Sequence, residues 1–264
     1  MVVFITGISS GFGLETARLL AKEGHVVYGT VRREVEPLPR VNYLQVDVRD
    51  KQAVADAVYQ VVEREGRIDV LVNNAGMGIG GPLEFASEEE VRLQMDTNFM
   101  GLVNCVDAVL PFMRQQGSGK ILALSSIGGL MGLPFQGFYS ASKFAIEGYC
   151  ETLRMETKSM GITVVVLRPG DFATGFTGSR KKVADEAAWQ AYPLYRTAIE
   201  KVEHDENGGL NPIVLARKIN RIIGIKNPRN GYVVASFEQK LSVLLKRILP
   251  AKWFAKVLEA YYRL

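Results

Sequence analysis

The sequence predicts a single α/β domain over residues 1–264, built as a doubly wound parallel sheet with helices on both faces. Three observations lead there. Short β-branched runs alternate with longer segments of helical period. The runs are apolar on both sides, as strands buried between two helical layers must be. A glycine cluster follows the first run, and in such sheets ligands bind beyond the C-terminal strand ends.

"VVFIT" (2–6) is the first strand, and a helix from about residue 12 to 23 ends at Gly24. "HVVYGTV" (25–31) and "VNYLQVD" (41–47) are strands, then "KQAVADAVYQVVERE" (51–65) a helix and "IDVLVN" (68–73) a strand. One long helical stretch covers about 88–115 and leads to the strand "KILALSS" (120–126). A helix over 139–159 precedes "GITVVVLRP" (161–169). Residues 175–211 mix glycines, charges and aromatics without a clear period and read as a substrate loop or lid. A further helix and the strand "GYVVA" (231–235) follow, then a basic amphipathic extension, 237–264.

No apolar run approaches the ~18 residues of a membrane span, and "MVVFI" runs straight into the glycine turn, as in a cytoplasmic protein without a leader. Cys105 and Cys150 sit in apolar helical surroundings and read as buried thiols. His25 and His204 are too few and too far apart for a metal site. Net charge is +4 but unevenly spread, because residues 212–264 hold eleven Lys/Arg and two acids. The acidic remainder argues against nucleic-acid binding.

"TGISSGFG" places Gly7, Gly11 and Gly13 between strand and helix, where a phosphate can approach the positive helix end. Cofactor choice is made after the second strand. An acid there holds a ribose hydroxyl, and an arginine a 2′-phosphate. Here Thr30 and Val31 offer no acceptor of that kind, Arg32 and Arg33 follow, and Glu34 and Glu36 come later. That order favours NADP(H) over NAD(H), with Arg32 as main phosphate partner and Ser10 as an added hydroxyl contact.

Together, "TGISSGFG", "NNAG" (73–76), Asn98, "SS" (125–126) and "YSASK" (139–143) resemble the short-chain dehydrogenase/reductase family, with its Rossmann-like fold. The likeness covers residues 1 to about 180. The stretch 126–148 is most similar to the branch of type 1 17β-hydroxysteroid dehydrogenase and photoreceptor-type retinol dehydrogenase. The resemblance implies Tyr139 as general acid/base, Lys143 as its partner on the nicotinamide ribose, and Ser126 as the hydroxyl that orients the substrate oxygen. Ser126 rather than Ser125 stands thirteen positions before Tyr139, the family's spacing. Asn98 would support a relay water near Lys143. Gly7, Ser9, Ser10, Gly11, Phe12 and Gly13 would cradle the pyrophosphate. Asn73, Asn74, Ala75 and Gly76 would shape the adenosine side, and Asp47 with Val48 the adenine pocket. Pro169, Gly170 and Thr174 would meet the carboxamide. Family members often form homodimers or homotetramers through the two long helices.

Residues four apart share a helical face. A phenol with a pKa of about 10 exchanges protons poorly at neutral pH, and a nearby ammonium together with the oxidised nicotinamide would lower it. The expected chemistry is hydride transfer between NADP(H) and a hydrophobic alcohol or ketone (steroid-, retinoid- or lipid-like) walled by Leu130, Met131, Leu133, Pro134, Phe135, Phe138, Phe172 and Phe176. His204 reads either as a substrate contact or as an exposed loop residue.

In the extension, Leu241, Leu244, Leu245 and Ile248 form one apolar stripe, and Trp253, Phe254, Val257, Leu258 and Tyr261 a second. They either pack on the domain or a second subunit, or lie peripherally on an anionic membrane, or dock where an apolar substrate enters. Two other functions compete: a membrane-associated long-chain lipid carbonyl reductase, and a non-catalytic dinucleotide-binding regulator. The presence of Ser126, Tyr139 and Lys143 counts against the regulator.

Overall fold

Apolar runs with no polar face can only be satisfied inside a sheet covered on both sides, and that is how they assemble. A computed structural model describes residues 1–183 and 186–264. The first half of the chain comprises β1 (Val2–Ile5), α1 (Gly11–Lys22), β2 (Val26–Val31), β3 (Val41–Gln45), α2 (Lys51–Glu65), β4 (Val70–Asn73) and β5 (Ile79–Gly80). Next come α3 (Glu88–Met95), α4 (Gly101–Gln116), β6 (Gly119–Leu124), α5 (Gly137–Thr157) and β7 (Ile162–Pro169). The remainder is α6 (Phe176–Ser179), β8 (Lys181–Lys182), α7 (Glu186–Ala191), α8 (Tyr195–Asn207), α9 (Ile213–Gly224), β9 (Gly231–Val234), α10 (Phe237–Ile248) and α11 (Ala251–Tyr262).

Seven strands pair in parallel in the order β3-β2-β1-β4-β6-β7-β9, the doubly wound sheet the sequence predicts. The chain reverses direction across the sheet between β1 and β4, and a crevice opens beyond their C-terminal ends. On one face Phe4, Leu71 and Ile121 pack against α2, α4 and α5; on the other, Ile5, Val72 and Leu122 pack against α1 and α9. Each fully buried side chain of this kind contributes roughly 1.5–3 kcal/mol. Among the described residues, no helix is long and apolar enough to cross a membrane.

Residues 88–115 form the expected helical stretch, with a π-helical turn, Asp96–Met100, between α3 and α4 that the sequence reading did not resolve. Two further regions add to the sequence expectation. The region 175–211 is largely helical, apart from residues 184 and 185, which lie outside the described residues. In α8, Tyr195, Ala198, Ile199 and Val202 fall at i, i+3, i+4 and i+7 and are buried; the short helices before it, broken at Pro193, hide that period. Finally, the α10 stripe divides: Leu245 packs inward beside the buried Val243 and Leu241 reaches the cavity, while Leu244 and Ile248 face solvent.

The helix that carries the Tyr-x-x-x-Lys pair is tied to the sheet by charge. Arg168 on β7 donates from Nε and Nη2 to Glu147 on α5 at 2.9 and 2.7 Å, with both side chains mostly buried. Such forked pairs fix orientation, and removing one partner strands the other charge. Glu147→Ala is expected to cost about 2–3 kcal/mol of unfolding free energy, read as a lower urea midpoint at unchanged slope.

Candidate active site

The first-turn amides of α1 point into the crevice. Ser10, its N-cap, makes no side-chain cap, and no acid sits in that turn, whereas Asp50, Ser87 and Ser236 all cap their helices. An anion is therefore the natural partner for α1. Gly7 holds φ +71° and packs against Ala75, while a Cβ on Gly13 would stand 2.2 Å from the Gly7 carbonyl oxygen and 2.5 Å from Asn74 Nδ2. Asn74 fastens this turn, donating from Nδ2 to the Thr6 and Gly7 carbonyls at 2.8 Å each.

A cavity of about 1240 Å³ runs from this turn to the C-terminal helices. Gly7, Ser9, Ser10, Gly11, Phe12, Arg32, Asp47, Val48, Asn74, Ala75, Gly76, Tyr139, Lys143, Pro169, Gly170 and Thr174 all line it. Gly13 does not; it lies beneath, as the close approach that lets the turn form. Asn73 is likewise buried off the cavity, donating to the Leu102 carbonyl. Arg32 and Arg33 are exposed at the rim, while Glu34 faces a separate hollow. Asp47 is already held by a forked contact from Arg49, which with Arg32 nearby keeps its carboxyl below the usual range. A nicotinamide dinucleotide fits this cradle: glycines against backbone, uncapped amides and two rim arginines.

At the sheet end, Lys143 is buried and donates from Nζ to the Leu124 carbonyl at 2.9 Å, 5.7 Å from the centre of the Tyr139 ring. Ser126 stands beside the Tyr139 ring across Gly128, and its hydroxyl accepts from Gly128 N–H at 3.0 Å. Ser125 instead donates to the Lys143 carbonyl. Asn98, on the π-turn, accepts from Met77 N–H at 2.8 Å and donates to the Met77 carbonyl and to Ser142 Oγ at 3.0 Å each. Both its donors are spent on protein, so its side chain acts by locking the 73–77 loop to α5.

Burial pushes the Tyr139 phenol up to about 12, opposed by the Ser126 hydrogen bond, and pushes Lys143 down to about 8. In the protein's own field the phenol is thus raised, because Glu206 and Asp171 add to desolvation and outweigh the Ser126 hydrogen bond and Arg180. Cys105 and Cys150 are buried thiols pushed up to about 12 by burial, in line with the sequence reading.

Of the expected apolar wall, Met131, Leu133, Phe172 and Phe176 line the cavity. Leu130, Pro134, Phe135 and Phe138 do not; Phe135 packs on Tyr192 and Tyr195 instead. Leu241, Leu245, Val257 and Leu258 from the two apolar stripes of α10 and α11 also line it, as a tail docked at the substrate entrance would; the sequence pattern missed the acids Asp171, Asp205 and Glu206. His204 lies at the cavity edge on α8.

A sequence profile described as short chain dehydrogenase matches residues 1–185. The chain belongs to the short-chain dehydrogenase/reductase family. It is an oxidoreductase of the kind that uses a nicotinamide dinucleotide. It is 46% identical to 3-ketodihydrosphingosine reductase of Bacteroides thetaiotaomicron over 99% of this chain and 97% of that one. Human 17-beta-hydroxysteroid dehydrogenase type 1 is 42% identical over 70% of this chain and 62% of that protein. The fold matches a short-chain dehydrogenase from Streptomyces avermitilis with a TM-score of 0.84 at 29% identity, covering 92% and 91% of the two chains.

Gly13→Ala is expected to fold while losing dinucleotide affinity by at least about tenfold, since overpacking against backbone costs roughly 1–3 kcal/mol. Titration of NADPH fluorescence measures it.

Proposed function

We propose that this enzyme uses NADPH to reduce the ketone of a long-chain amino ketone, the chemistry of 3-ketodihydrosphingosine. The observation that carries the proposal is the amphipathic character of the cavity. Beyond Tyr139 it is walled by Met131, Leu133, Leu241, Leu245, Val257 and Leu258, which suit an alkyl chain. Beside the phenol it presents Asp171, Asp205 and Glu206. Glu206 is paired with Arg180 and Asp205 with Lys201, but among the described residues no basic group lies within ion-pair distance of Asp171. Burial, with Glu206 and Asp205 nearby, pushes the Asp171 carboxyl up to about 7, against Arg180 and a Gln239 hydrogen bond. A substrate ammonium would relieve that crowding. The likeness to the sphingoid-base reductase supports the same reading across nearly the full chain.

Tyr139 and Ser126 both line the cavity, and a carbonyl oxygen set between them would accept from both hydroxyls. When bound, the reduced nicotinamide supplies hydride to the carbonyl carbon. Tyr139, held protonated well past neutrality, then gives its proton to the developing alkoxide oxygen. Lys143 holds positive charge behind the phenol as that proton leaves. Gly76 lies between Asn98 and Lys143, so the 73–77 loop and α5 keep one spacing across the cleft.

Arg32, with Arg33 behind it, is the proposed 2′-phosphate partner, Ser10 adding its hydroxyl. The enzyme is proposed to work as a homo-oligomer through α4 and α5, where Phe144 and Met155 are exposed. A steroid-like ketone is the second reading, favoured by the 42% identity to the human hydroxysteroid enzyme.

With wild type, NADPH is expected to outperform NADH. Arg32→Ala should raise the NADPH KM about tenfold or more, as loss of a charged hydrogen bond costs roughly 1.5–3 kcal/mol, and leave that for NADH unchanged. An unaltered NADPH KM removes Arg32 from the phosphate site.

The amine contact has a pH signature. Because the Asp171 carboxyl is raised to about 7, it is neutral below that value and charged above it. KM for the amino ketone should fall as pH rises through neutrality. Asp171→Asn should flatten that dependence and raise KM about tenfold, sparing a long-chain ketone without the amine. If both ketones respond alike, the amine reading fails and the steroid-like reading gains.

A further inference from the structure

The two helices at the end of the chain are apolar on both sides. Inward, Val243 of α10 and Phe254 of α11 pack with Ile127 and Met131. Outward, Phe237, Leu241, Leu244 and Ile248 of α10 fall at i, i+4, i+7 and i+11, with Phe237 76% and Ile248 64% exposed. On α11, Trp253, Val257 and Tyr261 recur every fourth residue, and Trp253 is 61% exposed. Scattered surface hydrophobics need no cause, but two adjacent stripes mark a surface that meets something apolar.

The rim of those stripes is basic. Residues 237–264 carry Lys240, Lys246, Arg247, Lys252, Lys256 and Arg263 against Glu238 and Glu259. Lys246 and Lys256 lean over the rings of Phe254 and Trp253, 5.1 and 5.4 Å from their centres, so the stems follow apolar surface while the ammonium groups stay at its edge. Phe237, Leu241, Val257 and Tyr261 also line the cavity, making the outer stripes continuous with its mouth.

We propose that α10 and α11 dock together on an anionic lipid surface, with their apolar stripes in the acyl boundary and the basic side chains among the headgroups. Charge decides between occupants. A second copy on the same face would bring one basic rim against another, whereas anionic headgroups match it. With no helix able to cross a bilayer among the described residues, the contact is peripheral. Docking is independent of which carbonyl is reduced; passage of a lipid-type substrate through this mouth rests on the function proposed above.

The test uses the full chain and two vesicle types, phosphatidylcholine alone and phosphatidylcholine mixed with phosphatidylglycerol. The protein should sediment with the anionic vesicles, with a blue shift of tryptophan emission from Trp253, since Trp189 already packs on Tyr195. Salt at about 1 M should release it. Leu244→Ser/Ile248→Ser/Trp253→Ser and Lys252→Glu/Lys256→Glu should each lower the bound fraction about tenfold or more. Both should still reduce a detergent-dispersed carbonyl at the wild-type rate, because none of the five residues lines the cavity. The proposal is overturned if the wild type ignores anionic vesicles at low salt, or if both variants bind as well as it does. It is also overturned if Trp253 proves shielded from a soluble quencher within a dimer. Turnover of the dispersed carbonyl reads the reductase function separately, so either claim can fall alone.

Discussion

The bond from Lys143 to the Leu124 carbonyl fixes one helix against one strand end, and the chemistry of the site follows from that seating. A buried ammonium without an acceptor would cost several kcal/mol. The carbonyl at the end of β6 therefore holds α5 to one rotation about its axis. Tyr139, one turn earlier on the same face, is then aimed at Ser126, which leads out of that same strand. Arg168 with Glu147 fixes the next turn of α5, and Asn98 through Ser142 fixes the turn between. Three polar contacts from three different elements over-determine the helix and so fix the position of the phenol.

Seating a tyrosine this way has an electrostatic consequence. Burial that positions the phenol also raises its pKa, and burial of Lys143 weakens the charge meant to oppose it. The protein by itself thus favours a protonated tyrosine, the form needed for carbonyl reduction. At the other end of the cavity, Asp171 is crowded by acids beside an apolar channel formed by α10 and α11. Acid beside the phenol and hydrocarbon beyond it are what the proposed ligand, with a cationic head and a long tail, would meet.

The sequence made the sheet legible because its strands carry no polar face, so even short runs such as "VVFI" stand out. The Tyr139 and Lys143 pair and the glycine turn were legible from local register, and Ser126 from the spacing of the family the sequence resembles. Gly13 was grouped with the cavity-facing glycines because spacing alone does not tell a glycine that lines the cavity from one that makes room for Gly7. The π-turn under Asn98 was not resolved, because the about 100° shift of phase that one inserted residue brings falls within a stretch that is helical on both sides. Asp171, Asp205 and Glu206 could not be grouped from sequence, since they meet only when α8 folds back over the loop after β7. Nor could the orientation of α10, where Val243 and Leu245 turn inward while Leu244 and Ile248 face solvent; both faces of that helix are apolar, and period cannot choose between them.

The most direct measurement is single-turnover reduction of a long-chain amino ketone by NADPH with Tyr139→Phe beside wild type. Proton donation by Tyr139 predicts a fall in the hydride-transfer rate of about 10²–10⁴-fold, while NADPH affinity, set by the distant cradle, stays within about twofold. Reduction at the wild-type rate with phenylalanine in place would contradict it, and the donor would have to be sought elsewhere in the cavity.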